Sequence, residues 1–208
     1  MEKRSSSNLG AVSSSLYVSF QVIANMLSTK IALLPFLNWS VDGGTIIYPL
    51  TFTLRDFVHK TLGKVKSRQI VILAAVINLV MALLFILVGK MRPDPSWQYQ
   101  EAYEKILLPV WRITMGSIIA QVISELVDTE VFSFVYHRFA DVLAVLASNT
   151  VALVVDSVVF TFVAFYGQLP TPVLWQILAT NIIIKLVMSL ISSPAIKLVP
   201  RQVEINQI

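Results

Sequence analysis

Six windows of about twenty residues each, near 15–37, 43–62, 69–90, 109–136, 141–167 and 172–197, are apolar enough to cross a hydrocarbon layer roughly 30 Å thick. They take up most of the chain and leave no room for a second, soluble domain, so residues 1–208 are expected to form a single integral membrane domain. In lipid each backbone polar group must be satisfied inside the spanning structure, which favours helices for windows of this length. The expectation is an all-α, polytopic membrane protein with six transmembrane helices. Composition agrees, since 56% of the residues are apolar and 13% are charged, against about 25% charged in soluble domains.

Basic residues orient the six windows. With the N-terminus on the cytoplasmic side, that side receives Lys3, Arg4, Lys60, Lys64, Lys66, Arg68, Arg138, Lys197 and Arg201, while the other receives Lys90, Arg92 and Lys105, diluted by Asp94, Glu101 and Glu104. Nine against three follows the positive-inside rule, so both termini are expected in the cytoplasm and the protein in the cytoplasmic (inner) membrane. The first apolar stretch is too long for a signal-peptide core and reads as a retained first helix.

Acidic residues then break the apolar pattern at defined places. Val127-Asp128-Thr129-Glu130-Val131-Phe132-Ser133-Phe134 and Val155-Asp156-Ser157-Val158-Val159-Phe160-Thr161-Phe162 share the form V-D-x-x-V-F-x-F. A carboxylate at the bilayer centre costs roughly 2.5–3.5 kcal/mol on insertion scales, so such acids face protein, a wet cavity or a counter-charge. Helical spacing puts Gln121, Glu125, Asp128 and Phe132 on one stripe of the fourth helix, and Asn149, Asp156 and Phe160 on one face of the fifth. Glu130 points elsewhere. In the sixth helix Asn181, Lys185, Ser189 and Ser192 share a face, and Lys185 is a natural counter-charge for one of the acids, either in a structural pair or in a site.

The earlier helices add to this set. Gln21, Asn25 and Ser28 share a face, fitted either to packing or to function. Tyr48-Pro49-Leu50-Thr51-Phe52 opens the second helix, with Tyr48 and Phe52 one turn apart and Asp56 one turn further, beside Arg55. Arg55 with Asp56 reads either as a neutralising pair or as part of a cavity. Helix 3 has Asn78 as its only strongly polar interior residue and otherwise suits lipid contact. Met91–Leu107, with Trp97, Tyr99 and Tyr103, reads as an interfacial loop or a short helix on the membrane.

Carboxylates, carboxamides, hydroxyls and aromatics on inward faces can recognise a planar, nitrogen-rich molecule: acids accept from amidine-like N–H edges, Asn or Gln pairs donor with acceptor, and Phe or Tyr stacks on the ring. The same groups would also bind protons or sodium ions. No nucleotide-binding loop, nucleophile elbow or H-E-x-x-H helix is present. Asp128 with Asp156 mimics an intramembrane aspartyl protease only without the Gly-x-Gly-Asp context. The chain lacks cysteine and has two histidines, so neither a cofactor nor a metal site is expected.

Taken in order, Ala24-Asn25 with Lys30, Tyr48-Pro49-Leu50-Thr51-Phe52 leading to Asp56 and Gly63, Arg112 with Ser117, Asp128 with Phe132, Ser148, Asp156-Ser157 to Phe160, Phe165-x-Gly167, and Lys185 with Pro194 resemble the queuosine precursor transporters, also called the vitamin-uptake-like family. The similarity covers nearly the whole chain. It implies a six-helix fold similar to the substrate-binding (S-component) subunits of energy-coupling-factor vitamin importers. It also implies uptake of queuine or of 7-cyano- or 7-aminomethyl-7-deazaguanine for tRNA modification. Departures stand at Lys60, Leu62, Ala147, Ala152 and Leu153, where the family often has other, mostly polar, residues.

The combined expectation is a transporter, not an enzyme, whose partners are a deazapurine base and membrane lipid, with no nucleic acid; a homodimer is a possible assembly. Asn25, Tyr48, Phe52, Asp56, Gln121, Glu125, Asp128, Phe132, Asn149, Asp156 and Phe160 would form the substrate pocket, and Arg112 and Lys185 would hold its acids charged. The alternatives are a binding subunit that needs a separate ATPase module, or a structural membrane protein.

Overall fold

The computed structural model describes residues 2–35, 37–136 and 141–192. Its elements are α1 (Glu2–Leu27), β1 (Ile31–Leu33), β2 (Ser40–Asp42), a 3-10 turn (Gly43–Ile46), α2 (Tyr48–Gly89), α3 (Gln100–Leu107), α4 (Val110–Tyr136), α5 (Asp141–Phe165) and α6 (Thr171–Ser192). The protein is thus mostly helical. Among the described residues four helical stretches, 50–89, 100–135, 147–165 and 171–191, are long and apolar enough to cross a membrane.

Two features depart from the sequence expectation. The first helix, expected to reach residue 37, ends at Leu27, and an antiparallel hairpin follows in which Ile31 pairs with Asp42, Ala32 with Val41 and Leu33 with Ser40. The apolar run Ile31–Leu34 looked helical because short apolar segments carry no decisive period. What ends the helix is local chemistry: Ser28 bonds back to the Ala24 carbonyl and across to Asp42, and the Lys30 carbonyl accepts the Gly43 N–H at 2.8 Å. The returning strand lies so close that a Cβ on Gly44 would stand 2.1 Å from Ser28 Oγ and 2.6 Å from the Ala24 carbonyl oxygen. Only glycine fits there.

The second departure is the long α2. Forty-two residues of straight helix would measure about 63 Å, twice the hydrocarbon thickness. Gly63, however, has φ 82° and ψ 170°, a conformation essentially restricted to glycine. Tyr48 and Asn78 both lie beside Asn25, although a straight helix would hold them about 45 Å apart. The chain therefore reverses at Gly63 into two antiparallel legs, with Thr61 and Leu62 near the turn packed against Gly10 of α1. Along the second leg Leu73, Val76, Val80, Leu83 and Leu87 are exposed, as suits a lipid-facing helix, while Asn78 is buried and bonded to Asn25.

The segment 91–107 contains α3, which has no buried residue and is tied to α2 by Gln100 Nε2 donating to the Gly89 carbonyl at 2.8 Å. In the preceding loop the Ser96 hydroxyl and N–H both donate to Asp94, which holds that carboxyl below its usual range. The tightest core lies where α4, α5 and α6 meet: Ile113, Ala164, Phe165, Leu174 and Ile177 are buried together, with Ile31 of the hairpin packed against them. Gly116 permits the close approach, since a Cβ there would lie 3.3 Å from the Ala164 backbone nitrogen.

Candidate functional site

Two cavities meet at one buried ion pair. Lys185 Nζ of α6 lies 2.7 Å from Asp156 Oδ2 of α5 and 3.2 Å from Ser157 Oγ, and the two charged side chains are 3% and 6% exposed. The ammonium also sits 5.0 Å from the Tyr48 ring centroid and 6.0 Å from that of Phe160. A buried charge is tolerated only when paired and hydrogen-bonded, and here carboxylate, hydroxyl and two aromatic faces share that task.

The larger cavity is an open cleft of about 290 Å³. Its walls are Phe52, Thr53, Arg55, Asp56 and Phe57 from α2, Ser124, Glu125 and Asp128 from α4, Asn149, Ala152, Leu153 and Asp156 from α5, and Lys185 and Ser189 from α6. Three acids other than the paired one face this space. Glu125 lies 3.5 Å from Arg55, with both side chains partly exposed, so the attraction is worth at most about 1 kcal/mol. Asp128 differs: its Oδ1 is buried and has no hydrogen-bond partner among the described residues. A buried carboxylate oxygen with spare acceptor capacity suits a donor that arrives with a ligand.

The smaller cavity, about 20 Å³, lies on the other side of the ion pair, under the hairpin. Ala24, Asn25, Ser28, Asp42, Gly44, Thr45, Tyr48, Ser117, Phe160, Asn181 and Lys185 line it. In α2, α4, α5 and α6 the two sets separate in order along the helix: Tyr48, Ser117, Phe160 and Asn181 face the chamber, whereas Phe52, Ser124, Asp156 and Ser189 face the cleft. Lys185 borders both.

The residues singled out in the sequence divide accordingly. Phe52, Asp56, Glu125, Asp128, Asn149 and Asp156 share the cleft, and Tyr48, Phe160 and Asn25 border the chamber. Asn25 is already committed, donating to Asn78 and accepting from Ser117, each at 2.7 Å. Gln121 faces a third, small recess with Tyr17, Gln21 and Asn78, and reaches Glu125 only at 3.5 Å. The Phe132 side chain falls outside the described residues, as do His137, Arg138, Pro194 and the basic residues after it.

Arg112 is a correction. Its guanidinium donates to the Val163 and Tyr166 carbonyls at 2.7 and 2.5 Å, at the C-terminal end of α5, and forms no ion pair with an acid among the described residues. A cation at a helix C-terminus satisfies orphan carbonyls and the helix dipole, a role that linear spacing does not reveal. Arg55 likewise meets Glu125 rather than the neighbouring Asp56. Asp42, which falls between the first two apolar windows, and Thr45, inside the second, were not among the residues singled out in the sequence. The only signal for them was the Asp42-Gly43-Gly44 string directly before a helix, which marks close backbone approach as readily as a solvent-exposed turn.

Comparison with known proteins follows the same line. Residues 42–199 match the family model described as "Putative vitamin uptake transporter". A protein of Bacillus subtilis (strain 168) described as "Probable queuosine precursor transporter" is 30% identical over 157 residues, covering 73% of this chain and 68% of that protein. No solved structure matches the chain.

Proposed function

Because this chain belongs to the vitamin uptake family of queuosine precursor transporters, we propose that it imports a 7-deazaguanine base, namely queuine or its 7-cyano or 7-aminomethyl precursors, and that the cleft is where the base binds. The observation that carries this reading is the Asp128 Oδ1 oxygen, buried without a partner among the described residues beside a space of ligand size. The guanine-like edge of such a base offers adjacent N–H donors, which a carboxylate accepts together. Asp56, Glu125 and Asn149 stand in the same cleft to take the remaining polar edges, and Phe52 and Phe57 provide aromatic faces for the ring.

In this reading α1, the two legs of α2, α4, α5 and α6 form six crossings in an S-component-like arrangement. The turn at Gly63 lies among Lys60, Lys64, Lys66 and Arg68 and faces the cytoplasm. The cleft lies on that side of the Lys185–Asp156 pair, so it is the compartment from which the base is released inward. The pair, with Tyr48 and Phe160, separates it from the outer chamber. Midplane sites bordered by a barrier on one side are the usual arrangement for alternating access.

Detergent-purified protein should be stabilised against heat by 7-deazaguanines and not by adenine or cytosine. Asp128→Asn should lose most of that response. Unchanged stabilisation in Asp128→Asn and Asp156→Asn alike would remove the base from this cleft. A precursor-starved host carrying the protein should regain queuosine in its tRNA when supplied with the external base.

A further inference from the structure

The chamber under the hairpin is short of protons. Thr45 Oγ1 lies 2.7 Å from Asp42 Oδ2 and in still closer contact with Asn181 Oδ1, yet a hydroxyl has a single proton to donate. Ser28 Oγ is likewise divided between Asp42 Oδ1 at 2.8 Å and the Ala24 carbonyl at 3.0 Å. The Ala24 carbonyl also accepts the Ser28 N–H at 2.9 Å, so two hydroxyl protons serve the two Asp42 oxygens and the Asn181 oxygen. Turning the Asn181 amide end for end would let Nδ2 donate to Thr45, but it would put Oδ1 where Nδ2 now stands, and Nδ2 is buried with no partner among the described residues. In either orientation an oxygen is left without a donor. Asp42 and Asn181 are each 1% exposed, so bulk solvent does not make up the difference.

Charge runs in the same direction. Among the described residues no basic group lies within ion-pairing distance of Asp42. Lys185 is the cation that lines the chamber, and its ammonium is held by Asp156 and Ser157. The last carbonyls of α1, the negative end of its dipole, lie directly behind: Gly43 and Gly44 are glycines because the Leu27 and Ala24 carbonyl oxygens would stand 2.5 and 2.6 Å from their Cβ atoms. A buried carboxylate, two hydroxyls and a carboxamide at a helix C-terminus are hard oxygen donors gathered around missing positive charge.

We propose that this chamber binds a small monovalent cation, Na⁺, through oxygens of Ser28, Asp42, Thr45 and Asn181. One carboxylate matches one unit of charge, whereas divalent sites collect several. The chamber adjoins the Lys185–Asp156 pair, so an ion there bears directly on the barrier above the cleft. The assignment rests on the oxygen cluster and holds whichever base the cleft accepts.

The test needs no organic ligand. Apparent Tm of the full-length, detergent-purified protein is measured at constant ionic strength while NaCl replaces choline chloride, with KCl as a second control. Na⁺ is expected to raise Tm saturably by about 3 °C or more, with little response to K⁺. Asp42→Asn and Thr45→Val should abolish the rise, and Thr45→Ser, which keeps the hydroxyl, should retain it. Should Asp42→Asn fail to fold, the Thr45 pair still decides. Equal Tm in Na⁺ and choline, or a Na⁺ response undiminished in Thr45→Val, overturns the proposal.

Discussion

Lys185 and Asp156, 29 positions apart on neighbouring helices, meet at 2.7 Å with side chains only 3% and 6% exposed, and the cleft and the chamber both border Lys185. Removing one partner leaves the other buried and uncompensated, which typically costs about 3–5 kcal/mol, whereas replacing both with apolar groups costs far less. Lys185→Met should therefore lower Tm sharply, and adding Asp156→Leu should recover much of the loss. A double variant no more stable than either single one would show that pairing is not what holds these residues.

Asp128 predicts the opposite balance. Its buried Oδ1 has no partner to lose among the described residues, so Asp128→Asn should leave the Tm of the ligand-free protein nearly unchanged. Hydrogen bonds to a charged group contribute about 1.5–3 kcal/mol, so base affinity should fall roughly ten- to hundredfold. Ligand titration followed by thermal shift measures both quantities in one experiment.

Asn25 should behave as a structural residue. Both ends of its amide are spent, on Asn78 of α2 and Ser117 of α4, so Asn25→Leu strands two buried polar groups at about 1–3 kcal/mol each. The expected result is a large drop in Tm with base affinity preserved in the protein that remains folded. Lost affinity at unchanged Tm would return Asn25 to the binding site.

Gly63 holds the reversal of α2. Any other side chain at φ 82° and ψ 170° costs about 1–3 kcal/mol, so Gly63→Ala should destabilise by at least that amount. Comparison with Gly89→Ala, an ordinary helical position near Tyr103 and Leu108, separates backbone strain from a general loss of glycine.

Topology can be read with single cysteines, because the chain has none. Val65→Cys beside the basic turn and Tyr99→Cys in the 91–107 segment are both well exposed, at 71% and 66%. An impermeant maleimide should label position 99 in intact cells and position 65 only after permeabilisation. Labelling of both from outside would overturn the proposed orientation.

What the sequence determined by itself follows from rules that act along one helix or across the bilayer. Apolar length marked the membrane stretches, helical spacing placed Asp128 on the face it occupies, and insertion cost identified Asp156 and Lys185 as residues that must be satisfied internally. Those forces require no knowledge of neighbours. Tertiary structure alone decided which groups meet. Arg112 was free in sequence to serve any acid, and it caps α5 because the α4–α5 packing brings the Val163 and Tyr166 carbonyls within its reach. Arg55 chose Glu125 over the adjacent Asp56 because side chains one apart on a helix point different ways. The hairpin, whose first strand lies in the first apolar window, became with Asp42 the wall of a chamber because Gly43 and Gly44 let the strand lie against the end of α1. Partner choice among buried polar groups depends on distances of a few ångströms between segments remote in sequence, and no single segment encodes it.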